Sequence, residues 1–376
     1  MNVAQVHDWL IHMRGGEKVL DALAELYPEA TLYTLFFDRK KISPNLARLK
    51  IRASFLQYLP GVKSYYRWLL PILPWVIRSM KVEDADLVIS SSHCVAKGIR
   101  IPEKAYHVCY CHTPMRYLWG FQDVYFKRYL APVRFLINLV FHFLRGWDLQ
   151  SNERVDLFVA NSEYIRKRIQ TVYQREAGVV HPPLETDFFH LPSENPSDRR
   201  TGGDTASNIG YYLAVSHFVP YKRLDLVIEA FNLLERKLVI IGSGPLADAY
   251  QKLRKNGQIS FWGSVNDEEL RRAYSGARAL IFPTEEDFGI VPLEAQACGA
   301  PVIAFRKGGA LETVASGVFF DAQTAEAIRE AVLRFEGQRF DRREVSGKVQ
   351  RFGRKHFLEN MKKIVESSYT AKAGRS

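Results

Sequence analysis

Strand-like and helical segments alternate along both halves of this 376-residue chain, and this alternation restricts the possible folds most. Short apolar runs typical of buried strands occur in the first half at 3–6, 86–90, 107–111 and 155–162. Equivalent runs occur in the second half at 211–215, 237–242, 259–263, 279–282 and 301–305. Alternating strands and helices imply parallel sheets covered by helices. We therefore predict an α/β protein with two Rossmann-like, doubly wound parallel-sheet domains that face each other across a cleft.

The boundaries of the two domains follow from a change in composition. Residues 192–209 are polar and contain proline and glycine, which is typical of a linker or a long surface loop. We expect one domain over 1–191, a second over 210–348 and a separate C-terminal segment over 349–376. A chain of this length has room for two such domains, each with its own core.

Composition and cysteine usage indicate an ordinary folded protein. Hydrophobic residues make up 47% and charged residues 25% of the chain, and there is no run of 18 apolar residues. The first seven residues have the pattern of a β-strand, so we expect no signal peptide there. The four cysteines do not have zinc spacing, and we expect buried free thiols in a reducing cytoplasm.

Positive charge is concentrated in two regions of this chain, whose formal net charge is +11. Residues 50–148 contain 14 Lys and Arg against 6 Asp and Glu, and residues 334–376 contain 12 against 5. Aromatic residues, leucines and cations alternate within the first region at 55–60, 65–75, 127–130 and 135–145. This composition fits helices at an anionic membrane surface, and it equally fits buried helices with cationic rims. No nucleic-acid-binding motif accompanies the charge, so we do not expect nucleic acid as a partner.

Two carboxylates eight positions apart, Glu286 and Glu294, mark the first candidate site. The segment between them contains Asp287 and Phe288 and then the amides of Gly289, Ile290 and Val291 at a predicted helix start. Carboxylates accept hydrogen bonds from sugar hydroxyls, and free amides at a helix start bind phosphate. The spacing fits a ligand with both hydroxyls and a diphosphate, although it also fits a solvated acidic loop with one ordinary helix glutamate.

Glycines and a histidine form a second group of candidates in the first domain. Gly15 and Gly16 follow the first strand, where glycine lets backbone amides approach a phosphate, and this is not the G-x-G-x-x-G dinucleotide fingerprint. His112 follows the third predicted strand and precedes Thr113 and Pro114, so that it could point into the cleft or serve as a surface or capping residue.

The start of the second domain supplies cations and another glycine turn. Lys222 and Arg223 precede a predicted helix, where positive charge opposes the helix dipole unless an anion bridges them. A solvated basic pair is the alternative. Gly242 and Gly244 follow the next strand and permit close approach of a ligand.

Together these motifs resemble the family 4 glycosyltransferases of GT-B architecture. The resemblance rests on the Gly15-Gly16-Glu17 turn, the Val-Pro-x-Lys-Arg segment at 219–223, the Gly-Ser-Gly-Pro turn at 242–245 and the E-x7-E element. The segment 112–119, His-Thr-Pro-Met-Arg-Tyr-Leu-Trp, is similar to the mannosyltransferase branch that builds bacterial surface polysaccharides.

The resemblance implies a nucleotide-sugar donor and a role for each motif residue. Glu294 would bind the ribose hydroxyls, and Glu286 would bind the hydroxyls of the donor sugar. Lys222 would stabilise the diphosphate leaving group. His112 would contact the transferring sugar.

The same resemblance implies that Gly16 and the amides around Ile290 and Val291 assist at the diphosphate. The enzyme would retain anomeric configuration and need no metal or cofactor, because fixed cations and amides stabilise the leaving charge. The family's C-terminal helix commonly crosses back to the first domain, and 349–366 has a matching aromatic and basic pattern.

We therefore expect a transferase that moves a hexose, mannose from GDP-mannose, to a polyprenyl-linked glycan at the inner face of the plasma membrane. A nucleotide-sugar 2-epimerase of the same architecture and a non-catalytic, membrane-docked scaffold are the alternatives. His217 departs from the pattern, because the family often has arginine after the small residue that Ser216 represents. Arg223 could supply the missing positive charge.

Overall fold

The computed structural model describes residues 1–116, 118–120, 131–192 and 210–373, which form two compact units. The first unit comprises Met1–Pro183 and Lys355–Ser376, and the second comprises Leu184–Arg354. Tyr117, the basic segment 127–130 and nearly all of the predicted linker 192–209 lie outside the described residues.

A seven-stranded sheet forms the centre of the first unit, with every neighbouring pair of strands parallel. In chain order its strands are β1 (Val3–His7), β2 (Thr31–Thr34), β3 (Lys50–Ala53), β4 (Leu87–Ser92), β5 (Tyr106–Cys111), β6 (Leu157–Ala160) and β7 (Ala177–Val179). Their order across the sheet is β3-β2-β1-β4-β5-β6-β7. Every residue of β4 and β5 is buried, as expected for central strands with both faces covered.

Helices of very different length accompany this sheet. They are α1 (Gly15–Leu26), α2 (Pro44–Arg48), α3 (Val62–Tyr65), α4 (Leu73–Ser79), α5 (Ala131–Gln150) and α6 (Glu163–Tyr173). The segment predicted to contact a membrane or to be buried, 55–75, forms short helical turns with one buried and one exposed side. Val62 and Leu73 are buried, whereas Tyr58, Trp68 and Trp75 are exposed.

A six-stranded parallel sheet organises the second unit in the order β10-β9-β8-β11-β12-β13. Its strands are β8 (Tyr211–Val215), β9 (Leu238–Ile241), β10 (Ile259–Gly263), β11 (Ala277–Phe282), β12 (Val302–Phe305) and β13 (Gly317–Phe320). Its helices are α7 (Leu224–Leu233), α8 (Ala247–Leu253), α9 (Asp267–Gly276), α10 (Ile290–Ala297), α11 (Ala310–Thr313), α12 (Ala325–Glu336) and α13 (Arg342–Lys348). The prediction of two parallel α/β sheets is confirmed.

The chain passes between the units at other positions than the predicted boundaries. Residues 184–191, predicted to end the first domain, belong to the second unit, because the Leu184 amide donates to the Phe352 carbonyl at 2.8 Å. Phe189 packs in the same core as Tyr274, with ring centroids 6.0 Å apart. Residues 349–354 belong there too, since Val349 and Phe352 are buried in that core.

The last helix, α14 (Arg354–Ala373), packs within the first unit. Phe357, Met361 and Val365 are buried there in one cluster with Tyr110 of β5. Their spacing of four residues places them on one face of the helix, which explains how an otherwise polar segment contributes to the core.

Candidate active site

Most of the predicted site residues of the second unit lie in loops at the carboxyl edge of its sheet, and the others lie in helix Ile290–Ala297. These loops are 216–223 after β8, 242–244 after β9, 284–289 after β11 and 306–309 after β12. In open α/β sheets ligands bind at this edge. The prediction thus placed the candidates on the side of the sheet where the fold permits a site.

A direct ion pair between Lys222 and Glu286 joins two of these loops. The Lys222 ammonium donates to Glu286 Oε1, and the two side chains are 15% and 19% exposed. The Thr284 hydroxyl donates to the Lys222 carbonyl at 3.1 Å and fixes the backbone beside the ammonium. The two residues lie 64 positions apart in sequence, so no local pattern indicates their contact.

Two glycines after β12, Gly308 and Gly309, support the acidic loop 284–289. The sequence analysis missed both. The Gly309 amide donates to the Glu286 carbonyl at 2.8 Å. A Cβ atom on Gly309 would lie 2.2 Å from the Phe288 carbonyl oxygen, and one on Gly308 would lie 2.4 Å from the Glu286 carbonyl oxygen. Side chains there would push the loop away. The signal available in the sequence is a Gly-Gly pair directly after a predicted strand.

Helix α10 begins at Ile290, as the sequence predicted, with Gly289 before it at φ +92. Glycine adopts this left-handed conformation without the strain of a Cβ. The helix therefore starts abruptly after the acidic loop, and its first amides lie at an N-terminus. Asp287 and Phe288 are buried immediately before this start.

Glu294 lies one turn into α10 and is buried. Its Oε2 atom accepts a hydrogen bond from the Tyr274 hydroxyl of α9 at 3.1 Å. Burial, with the neighbouring Glu294 charge, raises the pKa of Tyr274 well above its ordinary value. The phenol therefore stays protonated and orients the carboxylate. Nothing in the pattern around Tyr274 distinguishes it from a core aromatic.

At the remaining candidate positions of the second unit, the backbone conformation, an ion pair or close packing explains which residue is present. Arg223 adopts a left-handed conformation at φ 51 and pairs with Asp225 at 3.2 Å. Gly242 and Gly244 have φ of +138 and +154, and a Cβ on Gly242 would lie 1.8 Å from the Ser216 carbonyl oxygen. The glycine turn thus packs directly on the loop that carries the exposed His217.

In the first unit the structure brings Gly16 together with His112. A Cβ on Gly16, near the start of α1, would lie 3.5 Å from His112 Nε2, whereas Gly15 is exposed. His112 directly follows β5, and its Nε2 atom lies 2.8 Å from Ser91 Oγ. Burial and then His93 lower the pKa of His112 to about 3, so its imidazole is neutral at physiological pH.

Three further polar residues that the sequence analysis did not select lie in the same cluster. The rings of His7 and His93 each lie 6.4 Å from that of His112, and Asp8 Oδ2 lies 3.0 Å from His93 Nδ1. All lie at the carboxyl ends of β1 and β4, which neighbour each other in the sheet. Polar residues at the ends of two predicted strands are the signal that could have found them.

The candidates therefore form one group in each unit. Lys222 and Glu286 contact each other, Glu294 and the start of α10 share the adjoining helix, and Gly16 and His112 adjoin in the first unit. Among the residues that the structure describes, no group of three or more His, Cys, Asp or Glu side chains is placed to hold a metal ion. All four cysteines are buried free thiols, as predicted.

The whole described fold is that of a GT-B protein. The structure superimposes on a sucrose-phosphate synthase from Thermosynechococcus elongatus with a TM-score of 0.72. That alignment has 17% sequence identity and covers 99% of this chain and 100% of the other. The predicted fold class, two parallel-sheet α/β domains of GT-B type, is confirmed.

Part of this chain matches the sequence model of a known protein family. Residues 204–352 match the sequence model of the family described as "Glycosyl transferases group 1". The predicted resemblance to family 4 glycosyltransferases is thereby confirmed for the residues that this model matches.

Curated relatives give more specific names. A GDP-mannose-dependent alpha-(1-6)-phosphatidylinositol monomannoside mannosyltransferase from Mycolicibacterium smegmatis is 30% identical over 199 residues, which is 47% of this chain and 52% of the relative. A GDP-mannose-dependent monoacylated alpha-(1-6)-phosphatidylinositol monomannoside mannosyltransferase from Corynebacterium glutamicum is 26% identical over 50% of this chain and 57% of the relative. The chain thus matches these relatives over about half of their length.

Proposed function

We propose that this protein is a retaining, metal-independent glycosyltransferase that transfers mannose from GDP-mannose to a lipid-linked glycan acceptor in bacterial surface polysaccharide synthesis. The Lys222–Glu286 ion pair, next to the start of α10 and Glu294, is the observation that carries this proposal. It lies within the part of the chain that matches the family model. The names of two relatives supply GDP-mannose as donor and an amphiphilic mannoside as acceptor class.

Lys222 and the start of α10 would stabilise the charge that develops on the departing nucleoside diphosphate. As the bond between the sugar C1 atom and the diphosphate breaks, negative charge grows on the phosphate oxygen. A fixed ammonium and helix N-terminal amides are oriented before the reaction, so little reorganisation is needed. No divalent cation is required in this scheme, because Lys222 supplies the positive charge.

The two glutamates would bind the two sugars of the donor. Glu294 accepts one hydrogen bond from Tyr274, and its carboxylate oxygens have further lone pairs for ribose hydroxyls. Glu286 would exchange part of its contact with Lys222 for hydroxyls of the mannose once the diphosphate engages the ammonium. His112 would contact the transferring sugar. The remaining residues that would bind the donor are Gly15, Gly16, Arg223, Gly242 and Gly244.

We further propose that the protein acts at the inner face of the plasma membrane as a peripheral protein. Large apolar side chains exposed in the first unit include Phe55, Tyr58, Trp68, Trp75, Phe135, Leu136, Leu139 and Phe143. They lie in the region of the chain with excess positive charge, 50–148. Exposed aromatic and basic residues together are typical of surfaces that bind anionic lipid. None of the helices within the described ranges is both long and apolar enough to cross a bilayer.

A thermal-shift panel of GDP, UDP, ADP and their sugars, in the presence of EDTA, tests the donor assignment. A bound nucleotide raises the melting temperature by mass action, and we expect GDP and GDP-mannose to give the largest rise. A mannoside acceptor then distinguishes transfer from epimerisation. Net conversion of GDP-mannose without an acceptor into another nucleotide sugar would contradict transfer, and no shift with any nucleotide would contradict the whole proposal.

A further inference from the structure

We infer that the first unit carries an acceptor-sugar subsite in which His93, held by the buried Asp8, accepts a hydrogen bond from an acceptor hydroxyl beside the aromatic ring of Trp9. The inference rests on the proposed function and adds the residues that bind the acceptor. All of these residues belong to the first unit.

Asp8 fixes the position of the residues in this arrangement. It follows β1, is fully buried, and its Oδ2 atom accepts from the amides of His93 and Cys94 at 2.8 and 3.0 Å. Its Oδ1 atom accepts from the amides of Val95 and Ala96 at 2.6 and 2.7 Å. Four amides therefore attach the loop after β4 to a single carboxylate and leave its backbone little freedom.

The same carboxylate orients the His93 ring. Asp8 Oδ2 lies 3.0 Å from His93 Nδ1, and the amide contacts show both carboxylate oxygens to be acceptors. Nδ1 must then carry a proton in this contact, and in an imidazole with a single proton the other nitrogen, Nε2, is an acceptor. The His93 side chain is 32% exposed. Among the described residues, none forms a hydrogen bond with Nε2.

Two aromatic rings, called here the aromatic wall, adjoin the His93 ring. The Trp9 ring meets His93 edge to face, with centroids 4.7 Å apart and an interplanar angle of 88°. The Tyr66 ring lies 4.8 Å from Trp9, and both residues are only partly buried. Aromatic rings offer large rigid surfaces to the apolar face of a sugar ring, while a polar atom at the edge fixes its hydroxyls.

The aromatic wall continues into the exposed apolar surface described above. Tyr66 begins the 3-10 turn Tyr66–Leu69, which also carries Trp68, 80% exposed. An acceptor with a sugar head and a lipid tail could place its head at His93 and its tail along this turn. The continuity favours an amphiphilic glycoside over a free sugar as the occupant.

The subsite also adjoins the residue predicted to contact the transferring sugar. The rings of His93 and His112 lie 6.4 Å apart, and that of His7 lies 5.9 Å from His93. His7 Nε2 is buried and forms no hydrogen bond with any described residue. Because this atom is unsatisfied and its ring neighbours those of His93 and His112, we expect a polar group of a ligand or a water to bind it.

The test uses the variant His93→Phe, which keeps an aromatic ring against Trp9 and removes the acceptor nitrogen. Octyl α-D-mannopyranoside serves as acceptor and GDP-mannose as donor. We expect kcat/KM for the octyl mannoside to fall about tenfold, as for the loss of one ligand hydrogen bond, with the affinity for GDP unchanged. His356→Phe, which alters an exposed histidine of α14, is the matched control and should behave as wild type.

A second measurement does not depend on turnover or on the variant's folding. In the wild-type protein with 15N-labelled histidine, octyl mannoside added to the GDP complex should shift the His93 Nε2 resonance. An unmoved resonance at millimolar octyl mannoside, or equal kcat/KM in His93→Phe, would overturn the subsite. Failure of the proposed function is seen separately, as the lack of any melting-temperature rise with nucleotides.

Discussion

At the scale of single residues, His7 links the first-unit site to acid stability. Its ring is fully buried at the end of β1, and Nδ1 lies 3.0 Å from the Ser91 carbonyl. Burial, and then His93, lower the pKa of His7 to about 3. Between pH 6.5 and 3 the unfolded chain therefore binds a proton that the folded chain does not, and folding stability falls as the pH falls.

We predict that His7→Gln reduces the loss of stability on acidification. For each pH unit of acidification inside this window, a histidine of this kind lowers the free energy of unfolding by up to about 1.4 kcal/mol. Glutamine does not titrate and makes no such contribution. The melting temperature measured at pH 7.5 and at pH 5.5 should differ less in the variant than in wild type, even if the variant is less stable at both. An equal difference in the two proteins would show that His7 does not carry this proton linkage.

His217 is the residue at which this chain departs from the family pattern, and it is exposed in the loop after β8. Arginine keeps a permanent charge and two-pronged geometry for phosphate, whereas an unperturbed imidazole is largely neutral above pH 7. We predict that His217→Arg keeps or raises kcat at pH 7.5 with GDP-mannose. A large loss of turnover would give His217 a role other than substituting for the arginine.

At the scale of elements, a buried ion pair attaches helix α5 to the loop after β4. The Lys97 ammonium lies 2.8 Å from Asp148 Oδ1, and the two side chains are 2% and 0% exposed. It also donates to Ser151 Oγ at 2.6 Å and Asn152 Oδ1 at 2.8 Å. Asp148 in turn accepts from Tyr173 of α6, so the pair connects two helices to the sheet edge.

We predict that Lys97→Met lowers the free energy of unfolding by about 3–5 kcal/mol, because it leaves the Asp148 carboxylate buried without its cation. Arg52→Met, which removes an exposed ion pair with Glu83, is the control and should change it by about 0–1 kcal/mol. Urea unfolding followed by circular dichroism measures both. Equal effects of the two variants would contradict the structural role given to Lys97.

The sequence predicted the elements that have one strong signal and missed those that do not. All nine predicted strands are present, since each is a continuous apolar run. Four strands were missed. Strand β3 (Lys50–Ala53) is a charged edge strand, and β7 (Ala177–Val179) is three residues long and contains glycine. Strands β2 (Thr31–Thr34) and β13 (Gly317–Phe320) are each only four residues long. The helix start at Ile290 was predicted, because a strand, a glycine and a proline mark it from both sides.

Side-chain partners were less predictable than elements. Glu286 and Glu294 could be selected from their spacing, but the Lys222 and Tyr274 contacts join residues 64 and 20 positions apart. Asp8 and His93 meet only because β1 and β4 are neighbours in the sheet although β2 and β3 lie between them in sequence. Such contacts depend on strand order, which apolar periodicity does not determine.

At the scale of the whole molecule, net charge and exposed aromatic residues predict how the protein meets a membrane. The formal net charge is +11, and residues 50–148 carry a large share of the excess. Each basic residue near an anionic surface contributes about 1 kcal/mol at low ionic strength. Trp68 and Trp75 would add apolar contact to this attraction.

We predict that, at low salt, the protein sediments with vesicles that contain about 30% anionic phospholipid. It should bind neutral vesicles weakly. Salt at about 0.5 M shortens the Debye length to a few ångströms, screens the attraction and should release the protein. The double variant with Trp68→Ala and Trp75→Ala should bind about tenfold more weakly than the control Trp262→Ala, which removes an exposed tryptophan of the second unit. Equal binding to neutral and anionic vesicles would remove the membrane part of the proposal.

We propose above that a nucleoside diphosphate sugar binds at the carboxyl edge of the second sheet through Lys222, Glu294 and the start of α10. Calorimetric titration of GDP-mannose in EDTA tests it with wild type, Lys222→Ala and Glu294→Ala, after circular dichroism has shown that the variants are folded. We predict binding by wild type without metal and a loss of about tenfold to a hundredfold in affinity for each variant, as for a charged hydrogen bond. Binding that requires a divalent cation, or unchanged affinity in both variants, would contradict the account.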